Sequence, residues 1–175
     1  MCTAFSSWQN INNRIRDAKV AEKEMERARV HLDFCIELYH EQLAAGRLFL
    51  HEHPSGASSW RVDKMMKLEA MDGVYKATAD QCQYGMVDEK GPPIKKPTTF
   101  LTNSVHIAES LSLRCSGRDC NCSRRAGGTH AQCRGRTARL AAIYHFKLCR
   151  AILIGFRREM DARGICHIGE VGMQG

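Results

Sequence analysis

Apolar residues recur at steps of three and four over residues 9–45, which predicts one long amphipathic helix. Charged residues fill its opposite face, and Gly46 is typical of the position just beyond a helix end. A short apolar strand over residues 48–51 follows and delivers Glu52 just before a turn at Pro54. The apolar face of the helix is formed by Ile11, Ile15, Ala18, Met25, Ala28, Leu32, Cys35, Tyr39 and Leu43.

The middle of the chain predicts short helices and strands in turn. We expect a second helix from about residue 58 to residue 71 and a strand over 74–79. A β-branched and aromatic strand over 98–102 is predicted to pair with it as a hairpin across the turn-rich segment 85–96. A short helix over 104–113 completes this part.

A change of composition marks the last third. Residues 114–136 contain six arginines, four cysteines and almost no apolar residue, which indicates a loop or a small metal module. A last helix is predicted over 136–163, and residues 164–175 read as a frayed tail. We therefore divide the chain into an α/β segment over 1–113, a Cys/Arg-rich insert over 114–136, and a C-terminal helix from 137 that completes the same domain.

Composition and charge narrow the class of protein. The chain has 175 residues, 43% of them hydrophobic, which suits one globular domain. Its net charge of +7 favours a polyanionic partner, and no apolar run approaches the roughly 20 residues of a membrane span. The start of the chain lacks a signal-peptide pattern, and the nine cysteines are irregularly spaced. We expect an intracellular protein with reduced thiols.

Cys2 and Glu52 form the first candidate site. A thiol ahead of the long helix and a carboxylate at the end of the next strand suggest a strand–helix–strand crossover unit. Ligands of open α/β sheets bind outside the carboxyl ends of the strands, where the two groups could act as nucleophile and acid. Taken alone, a cysteine near a terminus is usually inert and Glu52 is an ordinary strand-end carboxylate. His51 and His53 lie on the face opposite Glu52 in a strand, which disfavours a metal site formed by these three.

Four segments of the chain carry a resemblance to a known family. Cys2, Phe5 and Ser6 fit a Pro-Cys signature followed by a Phe-Ser step, with Met1 in the place of the proline. The segment 50–54 fits a strand that ends in Glu-Asn-Val or Glu-Asn-Pro, with His53 in the place of the asparagine. Two further matches are the Cys-x-Tyr-Gly and Lys-Pro-Thr…Thr-Asn steps at Cys82-Gln83-Tyr84-Gly85 and 96–103, and the Leu-Cys step at Leu148-Cys149. In this order and spacing they resemble the cytosine-5 DNA methyltransferase family, in particular its short phage-like and mobile-element members.

The resemblance implies a partial Rossmann-like methyltransferase fold, namely the second half of the sheet with a β-hairpin. The S-adenosylmethionine-binding segment of the family precedes the Pro-Cys signature, so we expect a truncated domain that does not bind this cofactor and is inactive alone. By the same resemblance, Cys2 is the nucleophile that adds to carbon 6 of a flipped-out cytosine. Glu52 is the acid bonded to the neighbouring ring nitrogen.

The Cys/Arg-rich insert has two interpretations. Four zinc ligands could come from Cys115, Cys120, Cys122 and Cys133, with His130 as a further candidate, although the spacing matches no standard zinc pattern. The alternative is a solvated basic loop. In the related family the target-recognition insert falls at this place, which implies DNA contacts by Arg114, Arg118, Arg124, Arg125, Arg134 and Arg136. Lys95 and Lys96 stand near the place where the family has arginines.

Three functions are therefore open. The first is a truncated methyltransferase-like domain that needs a separate N-terminal half. The second is a non-catalytic module that binds DNA through its basic residues. The third is a zinc-stabilised interaction domain.

Overall fold

The computed structural model of the chain describes residues 4–6, 9, 15–124 and 127–165. The helices of these residues are α1 (Ala18–Ala44), α2 (Asp63–Glu69), α3 (Val105–Ser110), α4 (Gly135–Leu140) and α5 (Phe146–Ala162). The strands are β1 (Leu50–Pro54), β2 (Tyr75–Asp80) and β3 (Pro97–Thr102), and single 3-10 turns cover Ser58–Arg61 and Gln81–Tyr84. None of the helices in the described part of the chain is long and apolar enough to cross a membrane.

The three strands form one sheet in the order β1-β3-β2. Strand β3 pairs antiparallel with both neighbours, so that Phe100 lies opposite Glu52 on one side and Ala77 on the other. The predicted hairpin of the second and third strands is confirmed. A mixed α/β fold is also confirmed.

The predicted crossover unit begins at Cys2, which lies outside the described residues, but the described sheet differs from the Rossmann-like sheet that the resemblance implies. A strand–helix–strand crossover joins parallel strands, whereas both strand pairs described here are antiparallel. The reason is that β3 enters between β1 and β2 and runs against both of them. The antiparallel pairing fits a Rossmann-like sheet poorly, since that fold is mostly parallel.

Helices cover both faces of the sheet. Successive residues of a strand point to opposite faces, so Leu101 and Phe100 of β3 enter different cores. Leu101 packs with Leu32 of α1 and Leu68 of α2. Phe100 packs with residues of α3 and α5 on the other face, including Ile107 and Leu148. The result is three layers in which α1 and α5 lie on opposite sides of the sheet.

The first helix begins later than its periodicity predicts. It starts at Ala18, because the Asp17 carboxylate accepts hydrogen bonds from the backbone N–H groups of Lys19, at 2.8 Å, and Val20, at 3.4 Å. Ile15 was assigned to the apolar face of the helix but precedes it and is 88% exposed. The apolar periodicity therefore extends N-terminally beyond Asp17, the capping residue at which the helix begins.

The last predicted helix is two helices. Residues 141–145 separate α4 from α5, and the His145 ring caps α5 by accepting a hydrogen bond from the Lys147 N–H at 3.3 Å. Gly85 has a φ of +92°, and a Cβ there would lie 2.8 Å from the His145 ring. A glycine is therefore required where the His145 ring packs against the end of the second 3-10 turn. Similarly, the predicted helix from residue 58 is a 3-10 turn followed by α2, with Val62 between them.

Candidate metal centre

Four metal-binding side chains meet between the end of β2 and the Cys/Arg-rich insert. They are Cys82, Cys115, Cys122 and His130, whose Sγ and imidazole nitrogen atoms all lie within 4.8 Å of one another. Cys82 belongs to the 3-10 turn after β2, and the other three belong to the insert. Three thiols and one imidazole are a usual ligand set of structural zinc sites.

The spacing of the ligand atoms agrees with a tetrahedron around zinc. With Zn–S bonds of about 2.3 Å and a Zn–N bond of about 2.0 Å, two sulfurs are about 3.8 Å apart, and a sulfur and a nitrogen are about 3.5 Å apart. The Sγ atoms of Cys115 and Cys122 are 3.9 Å apart, and Cys115 Sγ is 3.6 Å from His130 Nε2. These two distances match those expected around zinc, and all four ligand atoms lie within 4.8 Å of one another.

A small hairpin brings Cys122 and His130 together. Asn121 and Thr129 form an antiparallel bridge, and the Cys122 N–H donates to the Gly128 carbonyl at 2.8 Å. The His130 N–H donates to the Cys120 carbonyl at 2.7 Å. These backbone bonds place two ligands eight residues apart in sequence side by side.

The end of β2 positions the other two ligands. The buried Asp80 carboxylate accepts a hydrogen bond from the Cys115 N–H at 2.8 Å through Oδ2. The same oxygen accepts from Arg114 Nε at 3.0 Å. Cys82 follows Asp80 by two residues, so one strand end both supplies a ligand and holds the backbone of a second.

The three thiols influence one another electrostatically. Burial, together with the neighbouring Cys122 and Cys115, raises the pKa of Cys82 to about 12. Burial opposes ionisation of Cys115 too, but hydrogen bonds from the Ser123 N–H and hydroxyl outweigh it and lower the pKa of Cys115 to about 6. Packed side by side, the sulfurs resist carrying three negative charges, and a divalent cation between them removes that repulsion.

The structure assembles part of the predicted ligand set and adds one residue. Cys115, Cys122 and the further candidate His130 are in the group. Cys120 is exposed at a turn where its φ is +63°, and the half-buried Cys133 packs against the core formed by Met86, Ile94 and Ala141. Sequence reasoning missed Cys82 as a ligand because it lies far from the insert in sequence, and only the fold brings the two together.

Several of the predicted DNA-contacting residues have structural partners instead. Arg114 pairs with Asp80, and Arg136 pairs with Glu89 at 2.7 Å. Lys95 Nζ donates to the Cys115 carbonyl at 3.4 Å, and Lys96 Nζ donates to the Ala141 carbonyl at 2.9 Å.

The remaining arginines of the insert differ in exposure. Arg118 and Arg134 are exposed and Arg124 is half-buried, whereas Arg125 lies outside the described residues. Arg118 and Arg134 are therefore accessible to a phosphate.

Glu52 lines a cavity of about 400 Å³ together with Phe5 and Tyr144. Burial and the nearby Glu52 carboxylate raise the pKa of Tyr144 above its usual value. Burial alternates along β1 as predicted, with His51 and His53 buried and Glu52 half-buried. Cys2 lies outside the described residues.

Comparison of the chain with protein-family models, with curated proteins and with solved structures finds no match. Conclusions about function therefore rest on the residues and the geometry of the chain itself.

Proposed function

We propose that this protein is a nucleic-acid-binding module whose basic C-terminal part is held in place by a structural zinc ion. The observation that supports it is the group of Cys82, Cys115, Cys122 and His130, whose ligand atoms all lie within 4.8 Å of one another. Four protein ligands fill the coordination shell of zinc and leave no position for water or substrate, which distinguishes a structural site from a catalytic one.

The distribution of charge supports the nucleic-acid part of the proposal. Residues 114–175 contain twelve Lys and Arg against four Asp and Glu, a net charge of +8. Residues 1–113 contain fourteen against fifteen, a net charge of −1. All of the excess positive charge thus lies in residues 114–175. Such asymmetry favours a polyanionic partner.

The zinc ion would connect this basic part to the sheet. The insert has few apolar side chains, so its own burial contributes little to holding it against the domain. Cys82 is fixed by β2, while Cys122 and His130 belong to the hairpin. Binding one ion therefore couples the position of the hairpin to the core, and metal binding adds to the stability of the fold.

The first test is the metal content of the full chain. We expect one zinc ion per chain after dialysis, and loss of that ion in Cys82→Ser and Cys122→Ser. Cys120→Ser is the matched control, because Cys120 belongs to the same hairpin but lies outside the ligand group. Absence of zinc in the unsubstituted chain, or equal losses in all three variants, would contradict the site.

The second test is nucleic-acid affinity as a function of salt. Fluorescence anisotropy with a labelled oligonucleotide should show affinity that falls steeply as salt rises, and that falls further after the zinc is removed by a chelator. An affinity that does not change with salt, or no binding at low salt, would contradict the proposal that the protein binds nucleic acid.

The methyltransferase-like ancestry is a second candidate, favoured by the cavity that Glu52 lines. Phe5 lines the same cavity. The nucleophile–acid pair requires that Cys2, which lies outside the described residues, also reaches this cavity. Calorimetric titration with S-adenosylmethionine tests the truncation. We expect no binding by this chain alone, and stoichiometric binding would contradict a truncated domain.

A further inference from the structure

The outer face of α5 carries large apolar side chains along one half and cations along the other. At 100° per residue, Phe146, Leu153 and Phe156 fall on the first half, which we call the apolar strip, and Lys147, Arg150 and Arg157 fall on the second, which we call the basic strip. Ile154 and Asp161 also lie on the half that carries the basic strip. The three apolar side chains are 64%, 65% and 44% exposed, respectively. The buried face of the same helix is separate and is formed around Leu148 and Gly155. Large apolar side chains beside cations on one exposed face are typical of a binding surface.

A groove joins the basic strip to the metal centre. Its volume is about 330 Å³, and its lining includes Lys147, Arg150 and Ile154 of α5 together with Gln83 and Tyr84. The Gln83 side-chain amide lies 3.6 Å from the sulfurs of both Cys82 and Cys122. The floor of the groove is therefore fixed by the same 3-10 turn that supplies a metal ligand.

The cations that line the groove are accessible to a ligand. Arg157 pairs with Asp161, and Arg158 pairs with Glu109. Lys147 and Arg150, by contrast, have no ion-pair partner among the residues that the structure describes, and both are exposed. Two such cations one turn apart on a helix suit successive phosphates of a backbone.

We propose that this surface binds single-stranded nucleic acid, with phosphates at Lys147 and Arg150 and a base stacked on Phe146. The proposal rests on the proposed function and specifies its substrate class. A single strand alternates charged phosphates with flat apolar bases, which matches the two strips of α5. In a duplex the bases stack on one another and expose only their edges in the grooves, so Phe146 would gain no stacking partner.

The test compares a labelled mixed-sequence single strand with the duplex of the same sequence, using the full zinc-loaded chain. We expect the single strand to bind at least ten-fold more tightly. Phe146→Ala should weaken single-strand binding about ten-fold, which is within the range for loss of one stacked base. Lys147→Ala with Arg150→Ala should reduce the slope of log affinity against log salt by about 1.4, because two phosphate contacts are lost.

The matched control removes two exposed cations from α1, on the opposite side of the sheet. Lys23→Ala with Arg29→Ala changes net charge by the same amount and should leave the affinity within two-fold. If this control lost as much affinity as the variant without Lys147 and Arg150, the attraction would depend on overall charge alone and the proposed site would be wrong. All four positions are exposed, and thermal melting of each variant verifies that the fold is retained.

Other outcomes separate this inference from the proposed function. Duplex binding as tight as single-strand binding, with zinc dependence, would overturn the inference and leave the proposed function in place. Absence of binding to either nucleic acid would overturn both. If Phe146→Ala instead abolished self-association in sedimentation without changing affinity, the apolar strip would be a contact between copies and the inference would be wrong.

Discussion

At the scale of single residues, His51 shows how burial sets a chemical property. Its Nδ1 is hydrogen-bonded to the Tyr39 hydroxyl oxygen, 3.0 Å away, and T-shaped contacts join the ring to Trp60 and His53. Burial, with a smaller contribution from the nearby His53, lowers the pKa of His51 to about 4. The residue is therefore neutral in the folded protein at neutral pH, which suits a ring inside the core.

This pKa predicts a loss of stability in acid. Because the folded protein binds fewer protons at His51 than the unfolded chain does, its contribution is fully present above about pH 6.5 and is lost as pH falls towards 4. The loss amounts to at most about 3 kcal/mol, from 1.36 kcal/mol per pKa unit. Urea denaturation from pH 7.5 to pH 4 measures it. His51→Asn should flatten the profile in this interval, and the exposed His40→Gln should not; identical profiles for all three proteins would contradict the assignment.

We expect Asp80 to control the affinity for metal although it is not a ligand. Asp80→Asn keeps the shape of the side chain but weakens its hold on the Cys115 N–H and on Arg114. Loss of such outer-shell partners typically costs 10–100-fold in affinity, so we expect about ten-fold weaker zinc binding in competition with a chromophoric chelator. Asp88→Asn, in the adjacent turn, is the control. Unchanged affinity in Asp80→Asn would mean that the hairpin alone positions the ligands.

The ligand set could be predicted from sequence only in part. The composition of the insert indicated a metal module and included Cys115 and Cys122, with His130 as a further candidate. Cys120 and Cys133 could not be separated from true ligands, because a left-handed turn at Cys120 and a small core around Cys133 decide their directions. Cys82 lies far upstream of the insert, and no local spacing reports a contact that depends on the β2–β3 hairpin.

At the scale of elements, the crossing of α3 and α5 depends on close approach. A Cβ at Gly155 would lie 2.7 Å from the Ile107 Cα and 2.8 Å from the His106 carbonyl oxygen. Ser104 also joins the two helices, since its hydroxyl caps α3 at the Ile107 N–H and donates to the buried Glu159 carboxylate of α5. Backbone atoms cannot move aside as a flexible side chain can, so the absence of a side chain at Gly155 sets the distance between the two helices.

Gly155→Ala is therefore expected to destabilise the protein although alanine favours helix. Overpacking typically costs 1–3 kcal/mol, while the gain in helix propensity is about 1 kcal/mol. We expect a net loss of up to about 2 kcal/mol in the free energy of unfolding, measured by chemical denaturation. Cys149→Ala, on the exposed side of the same helix, should change it by less than about 0.5 kcal/mol. A more stable Gly155→Ala would contradict the close crossing.

Element types were easier to predict than element ends. Periodicity identified the long first helix and the last one, and β-branched residues identified the hairpin. The ends depend on single side chains, since Asp17 starts α1 and His145 starts α5. A hydrophobic pattern does not register such caps, which is why the first helix was predicted too early and the last two were joined.

At the scale of the whole molecule, the three strands and the hairpin of β2 and β3 were predicted, but the antiparallel pairing of β1 with β3 was not. Placing β3 between β1 and β2 depends on contacts between distant parts of the chain, and the hydrophobic pattern of β1 is the same for a parallel or an antiparallel neighbour. The same limitation applies to the metal centre, which joins the core to the basic C-terminal part. The proposed zinc ion would hold the Cys/Arg-rich insert, whereas the sheet and α5 are held by apolar packing.

This separation predicts a local response to zinc removal. Hydrogen exchange after chelation should become faster over residues 115–134, since the insert loses its connection to Cys82. The amides of β3 should remain protected, because its residues enter the two cores formed around Leu101 and Phe100. Uniform loss of protection, or no change in the insert, would contradict a local structural role for the ion.

The most direct test of the central claim is X-ray absorption at the zinc edge of the metal-loaded chain. The fold predicts three sulfur ligands at about 2.3 Å and one nitrogen ligand at about 2.0 Å. Cys82→Ser should reduce the number of sulfur ligands, whereas Cys120→Ser should leave the spectrum unchanged. A shell of four sulfurs, a shell of two sulfurs and two nitrogens, or an unaltered spectrum in Cys82→Ser would contradict the centre described here.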